Sequence, residues 1–132
     1  MVFKLFKRQV DPKKRVTVGV LKPYDLGKIK SDWEQVEQLV RVGKPSALKQ
    51  AGIVADKLLD YALRQVSSGE TAGERLKNAR DAFPRPVYQG LWEAHKVRNA
   101  LVHDSDYDLT QLVARDALGK FKEAFKALGV EL

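Results

Sequence analysis

From Ser31 to its end the chain repeats apolar residues every three or four positions, and that spacing limits the possible folds more than any other feature. Leu48, Ala51, Ala55, Leu58, Leu59, Ala62 and Val66 form one stripe. Leu109, Leu112, Val113, Ala117, Phe121, Phe125 and Leu128 form another. A strand would bring alternate residues to one face, so these periods predict amphipathic helices. Ser31 with Glu34, Thr71 with Glu74, and Asp108 with Gln111 each place a capping side chain three residues ahead of an acid or amide that reaches back. Pro45 and the Phe83-Pro84-Arg85-Pro86 breaker mark two further starts, because a missing N–H costs nothing in the first turn. The expected helices span 31–42, 45–67, 71–83, 86–103 and 108–128, and Gly43, Gly69 and Gly129 end three of them. The prediction is an all-α fold, an up-and-down bundle of four to five helices over residues 31–132, with short connections.

Charge separates the bundle from what precedes it. Residues 1–30 hold nine basic and two acidic side chains, which is the whole net charge of +7, and the rest of the chain carries fifteen of each sign. The first 30 residues therefore read as a basic N-terminal arm, partly disordered or forming an edge strand at the β-branched run from Arg15 to Val20. Within it, Lys4, Lys7, Arg8, Lys13, Lys14 and Arg15 are interleaved with Phe3 and Phe6 and could track an RNA backbone. The same segment suits weak contact with an anionic membrane, and it also reads as a solvated tail.

Several classes of chemistry are excluded at this stage. The chain has no cysteine, which removes thiolate zinc sites, disulfides and cysteine nucleophiles and makes a cytoplasmic location the default expectation. Its longest uncharged apolar stretch, Val16 to Leu21, is far short of the roughly 20 residues that a spanning helix needs. It has no phosphate-cradling glycine loop, dinucleotide fingerprint, His-Glu-x-x-His pair or calcium loop, so no metal or cofactor is expected.

What remains lies in one segment, Leu91 to Asp108, which holds both histidines. Projected as a helix, Leu91, Ala94, Val97 and Leu101 form an apolar face, with Arg98 within about 40° of its centre. His95, Asn99 and His103 form a separate polar stripe, with Trp92 beside it. Arg98 and His103 lie about 140° apart on an ideal helix. They converge only where the helix ends near His103, or where a twofold axis brings two copies together.

Arg98-Asn99-Ala100-Leu101-Val102-His103, near the end of the penultimate helix of a small all-α domain, resembles the Arg-x4-6-His motif of the HEPN superfamily (higher eukaryotes and prokaryotes nucleotide-binding domain). Residues 55–63, Gly73-Glu74-Arg75-Leu76 and residues 92–99 extend the likeness to the small stand-alone bacterial members over about residues 45–129. The resemblance implies a homodimer whose two motifs face each other across a cleft, and often a metal-independent endoribonuclease acting on RNA. Members that act as toxins commonly carry a Tyr two residues after the His; here that position is Ser105, and the nearest Tyr is Tyr107.

The residues suit that chemistry. An unperturbed imidazole titrates at about 6.5, so His103 could take a proton from a ribose 2′-OH and return one to the leaving 5′-oxygen. Arg98 offers permanently charged donors to the non-bridging oxygens, and Asn99 could orient His103 or hold the phosphate. His95, Asp56, Asp60 and Tyr107 are candidate supporting residues. The same residues also fit a catalytically silent nucleotide- or RNA-binding or dimeric assembly module. In that case His103 is a helix-end hydrogen-bonding group, and Arg98 is a structural cation paired to Asp56, Asp60 or Glu93. His95 reads as the polar edge of a helix, and Trp92 and Tyr88 read as core or interface aromatics ahead of base-stacking platforms.

Overall fold

The computed structural model describes residues 18–104, 107 and 109–132. The arm's basic residues Lys4, Lys7, Arg8, Lys13, Lys14 and Arg15, and most of its strand reading, lie outside these residues, as do Ser105 and Asp108. The described chain is all-helical, with five α-helices: α1 (Pro23–Val42), α2 (Pro45–Val66), α3 (Ala72–Asn78), α4 (Arg85–His103) and α5 (Gln111–Ala127). A 3-10 turn, Arg80–Ala82, leads from α3 toward α4.

The first helix starts eight residues before the Ser31 cap expected from the sequence. Pro23 occupies its first turn, where the ring's fixed φ suits a helix. Asp25 satisfies an orphan donor there by accepting from the Lys22 N–H at 3.1 Å. Its other oxygen accepts from the Tyr61 hydroxyl at 2.8 Å, fastening the start of α1 to α2. Lys28 and Lys30, counted with the arm on charge, thus belong to the bundle, and Ser31 is an exposed residue inside a helix. Residues 18–20 are not a strand; Gly19 donates to the Val66 carbonyl at 2.7 Å, where the chain passes the end of α2.

α2 is the central element and packs against α1, α3, α4 and α5. Small residues permit this: Ala51, Ala55 and Ala62 are fully buried, and a Cβ at Gly52 would sit 3.1 Å from Leu101 of α4. The two-residue link at Gly43 and Lys44 makes α1 and α2 antiparallel neighbours. Gly43 takes a left-handed φ of 73° to close α1, donating to the Leu39 carbonyl. The core itself is built on Ile29, Val36, Leu63, Leu91, Phe121 and Phe125, with Trp33 edge-on to Phe125 at 5.6 Å. Burying each such side chain contributes about 1.5–3 kcal/mol.

Two helix starts follow the sequence only in part. Thr71 caps α3 by accepting from the Glu74 N–H, but the Glu74 carboxylate accepts from Glu70 N–H, one residue before the cap. α5 starts at Gln111, and Thr110 is its cap, accepting from the Val113 N–H at 3.1 Å. Leu112 faces away from the core and is 80% exposed, against the stripe read from the sequence. Its position is about 160° round the helix from Ala114, which is buried.

Candidate functional site

α4 buries Leu91, Ala94 and Leu101 on the core, as its apolar spacing predicts, and this orients its polar residues. The edge of the buried face meets Asp56 of α2, itself only 6% exposed. Asp56 Oδ1 lies 2.9 Å from His95 Nδ1, and Asp56 Oδ2 lies 3.2 Å from Arg98 Nε. A carboxylate oxygen accepts, so His95 Nδ1 is the donor in this contact. The Arg98 contact is an ion pair without hydrogen-bond alignment, since the buried Nε finds no bonding partner. Nη1 of Arg98 donates instead to the Asn99 side-chain oxygen at 3.0 Å. The guanidinium is thereby held from two sides. The histidine stacks edge-on to Trp92, ring centroids 6.0 Å apart.

Among the three acids expected as partners of Arg98, the structure selects Asp56. Glu93 is 2.9 Å from Lys120 of α5. Asp60 is one turn further along α2 and receives a two-pronged contact from Arg75, with Nε to Oδ1 at 2.8 Å and Nη2 to Oδ2 at 3.0 Å. Arg75 is 8% exposed and spends a third donor on the Gly69 carbonyl at 2.9 Å. Burial opposes the charged form of the Asp60 carboxyl most strongly, but the hydrogen bonds and charge of Arg75, with Arg64 beside them, outweigh it and hold its pKa below the usual carboxylate value. Asp60 therefore locks α2 to the α3 segment and stands apart from Arg98. Nothing in the sequence spacing pointed to Arg75, because the pair closes across 15 residues.

His103 is the last residue of α4 and is exposed. Among the described residues, no hydrogen bond or ion pair joins it to Arg98, in keeping with the wide angle between the two positions on one helix. Asn99 turns toward Arg98. Tyr107 is half-buried beyond the helix, its N–H donating to the Asp104 carbonyl at 3.1 Å. No helix among the described residues is long and apolar enough to cross a membrane. No three His, Asp or Glu side chains gather there in a way that could hold a metal ion.

Fold and site together define a small all-helical bundle carrying a carboxylate-anchored arginine and a helix-end histidine on one helix. Comparison with family models, curated proteins and solved structures finds no match.

Proposed function

We propose that the chain is a metal-independent endoribonuclease of HEPN type, with Arg98, Asn99 and His103 at a site completed by a second copy of the chain. The observation that carries this reading is the restraint on Arg98. Asp56 and Asn99 hold its Nε and Nη1, which leaves Nη2 for a non-bridging phosphate oxygen. His103 is exposed within the same last turns of α4, free to meet a ribose.

In the reaction, His103 removes the proton of the 2′-OH and the 2′-oxygen bonds to phosphorus. The bond from phosphorus to the 5′-oxygen breaks, and that oxygen takes a proton from an imidazolium. The products are a 2′,3′-cyclic phosphate and a 5′-hydroxyl. Arg98 compensates the charge that builds on the equatorial oxygens, and Asn99 keeps its guanidinium in place. Within one chain Arg98 and His103 point about 140° apart, so a homodimer supplies the facing histidine.

The test is incubation of the purified protein with mixed RNA in EDTA beside His103→Ala. Cleavage that falls at least a hundredfold in the variant supports the assignment. No cleavage by the native chain, or equal cleavage by both, overturns it. A second reading has its own observation: Asp56, almost fully buried between His95 and Arg98, also suits a silent nucleotide- or RNA-binding or dimeric assembly module. That reading requires His103→Ala or Arg98→Ala to dissociate the dimer or to lower the melting temperature markedly.

A further inference from the structure

We propose that one face of α4 is a binding track for single-stranded RNA, running from an aromatic-floored groove at the start of the helix to His103 at its end. The choice of RNA rests on the ribonuclease reading; the track itself rests on separate residues. Arg85, Tyr88, Trp92, Lys96, Asn99 and His103 follow one another at intervals of three or four. On a helix they fall within about 40° of one line and extend over about 27 Å. All six reach the surface: Arg85, Lys96 and His103 are exposed, and Tyr88, Trp92 and Asn99 are half-buried.

At the start of the line the surface opens into a groove of about 990 Å³ between α4 and the 3-10 turn. Its floor is a run of rings. Phe83 stacks on Tyr88 at 6.4 Å, and Tyr88 meets Trp92 edge-on at 6.3 Å. Arg80, Arg85 and Lys96 line the same groove. Two acids share its walls, but each faces a cation: Asp81 is 3.8 Å from Arg80, and Glu93 is 2.9 Å from Lys120.

Aromatic faces interleaved with cations are what an unpaired strand requires. Bases stack on the rings whatever their identity, and lysine and arginine follow the phosphates. A duplex hides its base faces and gains nothing from the rings. Because charges nearly balance over the bundle from Pro23 onward, with seventeen basic and sixteen acidic side chains, the attraction that the bundle itself offers to phosphate comes from such a local arrangement. The last two members of the line, Asn99 and His103, belong to the proposed catalytic site, so a strand held in the groove is fed along α4 toward it.

The test uses a short 2′-O-methyl oligoribonucleotide, which lacks the attacking hydroxyl and reads binding without cleavage. Binding is followed by anisotropy of a labelled probe and by tryptophan quenching, where Trp33 at 4% exposure is shielded and Trp92 reports. The expected results are quenching on binding and about tenfold weaker affinity for Trp92→Ala. Arg85→Ala and Lys96→Ala should each reduce the salt slope by about one, with the fold intact because both side chains are exposed. Trp92→Leu, which keeps apolar contact with the core, should lose affinity like Trp92→Ala. Equal binding of a duplex, or loss from Lys57→Ala on α2 as large as from Lys96→Ala, overturns the track. Binding of the probe without cleavage of ordinary RNA sinks the enzyme and keeps the track; cleavage unaffected by Arg85→Ala, Trp92→Leu and Lys96→Ala does the reverse.

Discussion

Asp56 and Arg98 meet at 3.2 Å across the interface of α2 and α4, the acid almost wholly buried and the guanidinium 29% exposed. Asp56→Ala strands the arginine and His95 without their anion, a loss of about 2–4 kcal/mol readable by urea unfolding. Asp56→Asn keeps an accepting oxygen and should cost less stability. If Asp56 positions Arg98 for phosphate, the Asn variant should still lower cleavage, mainly through kcat; unchanged kcat would leave Asp56 a purely structural residue.

The Asp60 and Arg75 pair sets an acid limit on stability. The folded pKa of Asp60 is depressed below its ordinary value of 3.8, so the unfolded chain binds the proton more readily. The stabilisation is complete above the ordinary value and is lost as pH falls through the depressed one. Unfolding free energy should drop as pH is lowered from about 4 toward 2, and more shallowly in Asp60→Asn. Identical acid slopes for the two proteins would remove Asp60 from this role.

Helix starts provide a separate check. Thr110→Ala removes the cap of α5 and should cost about 1 kcal/mol. Ser31→Ala, at an exposed position inside α1, should change stability by less than about 0.5 kcal/mol. Thermal melts of the two variants distinguish the observed starts from those suggested by spacing alone.

The contrast between those residues shows what the sequence could convey. α2 and α4 were legible because prolines fix their starts and their apolar stripes are long. The start of α1 is hidden in the sequence because Ser31 and Glu34 mimic a capping box, while the basic residues from Lys22 to Lys30 blend with the basic residues before them. The signal that locates its start is Pro23 with Asp25 two residues on, followed by Leu26, Ile29, Trp33 and Val36 at helical spacing. Leu112 has the three-residue spacing of a stripe member relative to Leu109, but on one helix it lies about 140–180° from Ala117, Phe121 and Phe125, so the stripe read by spacing alone drifts off the buried face. The polar face of α4 was visible as a pattern, but spacing left Arg98 three acids to choose from. Only the packing of α2 on α4 selects Asp56, and only the fold of α3 brings Arg75 to Asp60.

The most direct measurement for the central claim is the chemistry of the cut ends. A 5′-labelled single-stranded RNA incubated with the protein in EDTA should yield fragments ending in a 2′,3′-cyclic phosphate, with the downstream pieces carrying a free 5′-hydroxyl. Arg98→Ala and His103→Ala should each suppress these products. A 3′-hydroxyl with a 5′-phosphate, a requirement for added divalent metal, or intact RNA would contradict a site built from Arg98, His103 and the substrate's own hydroxyl.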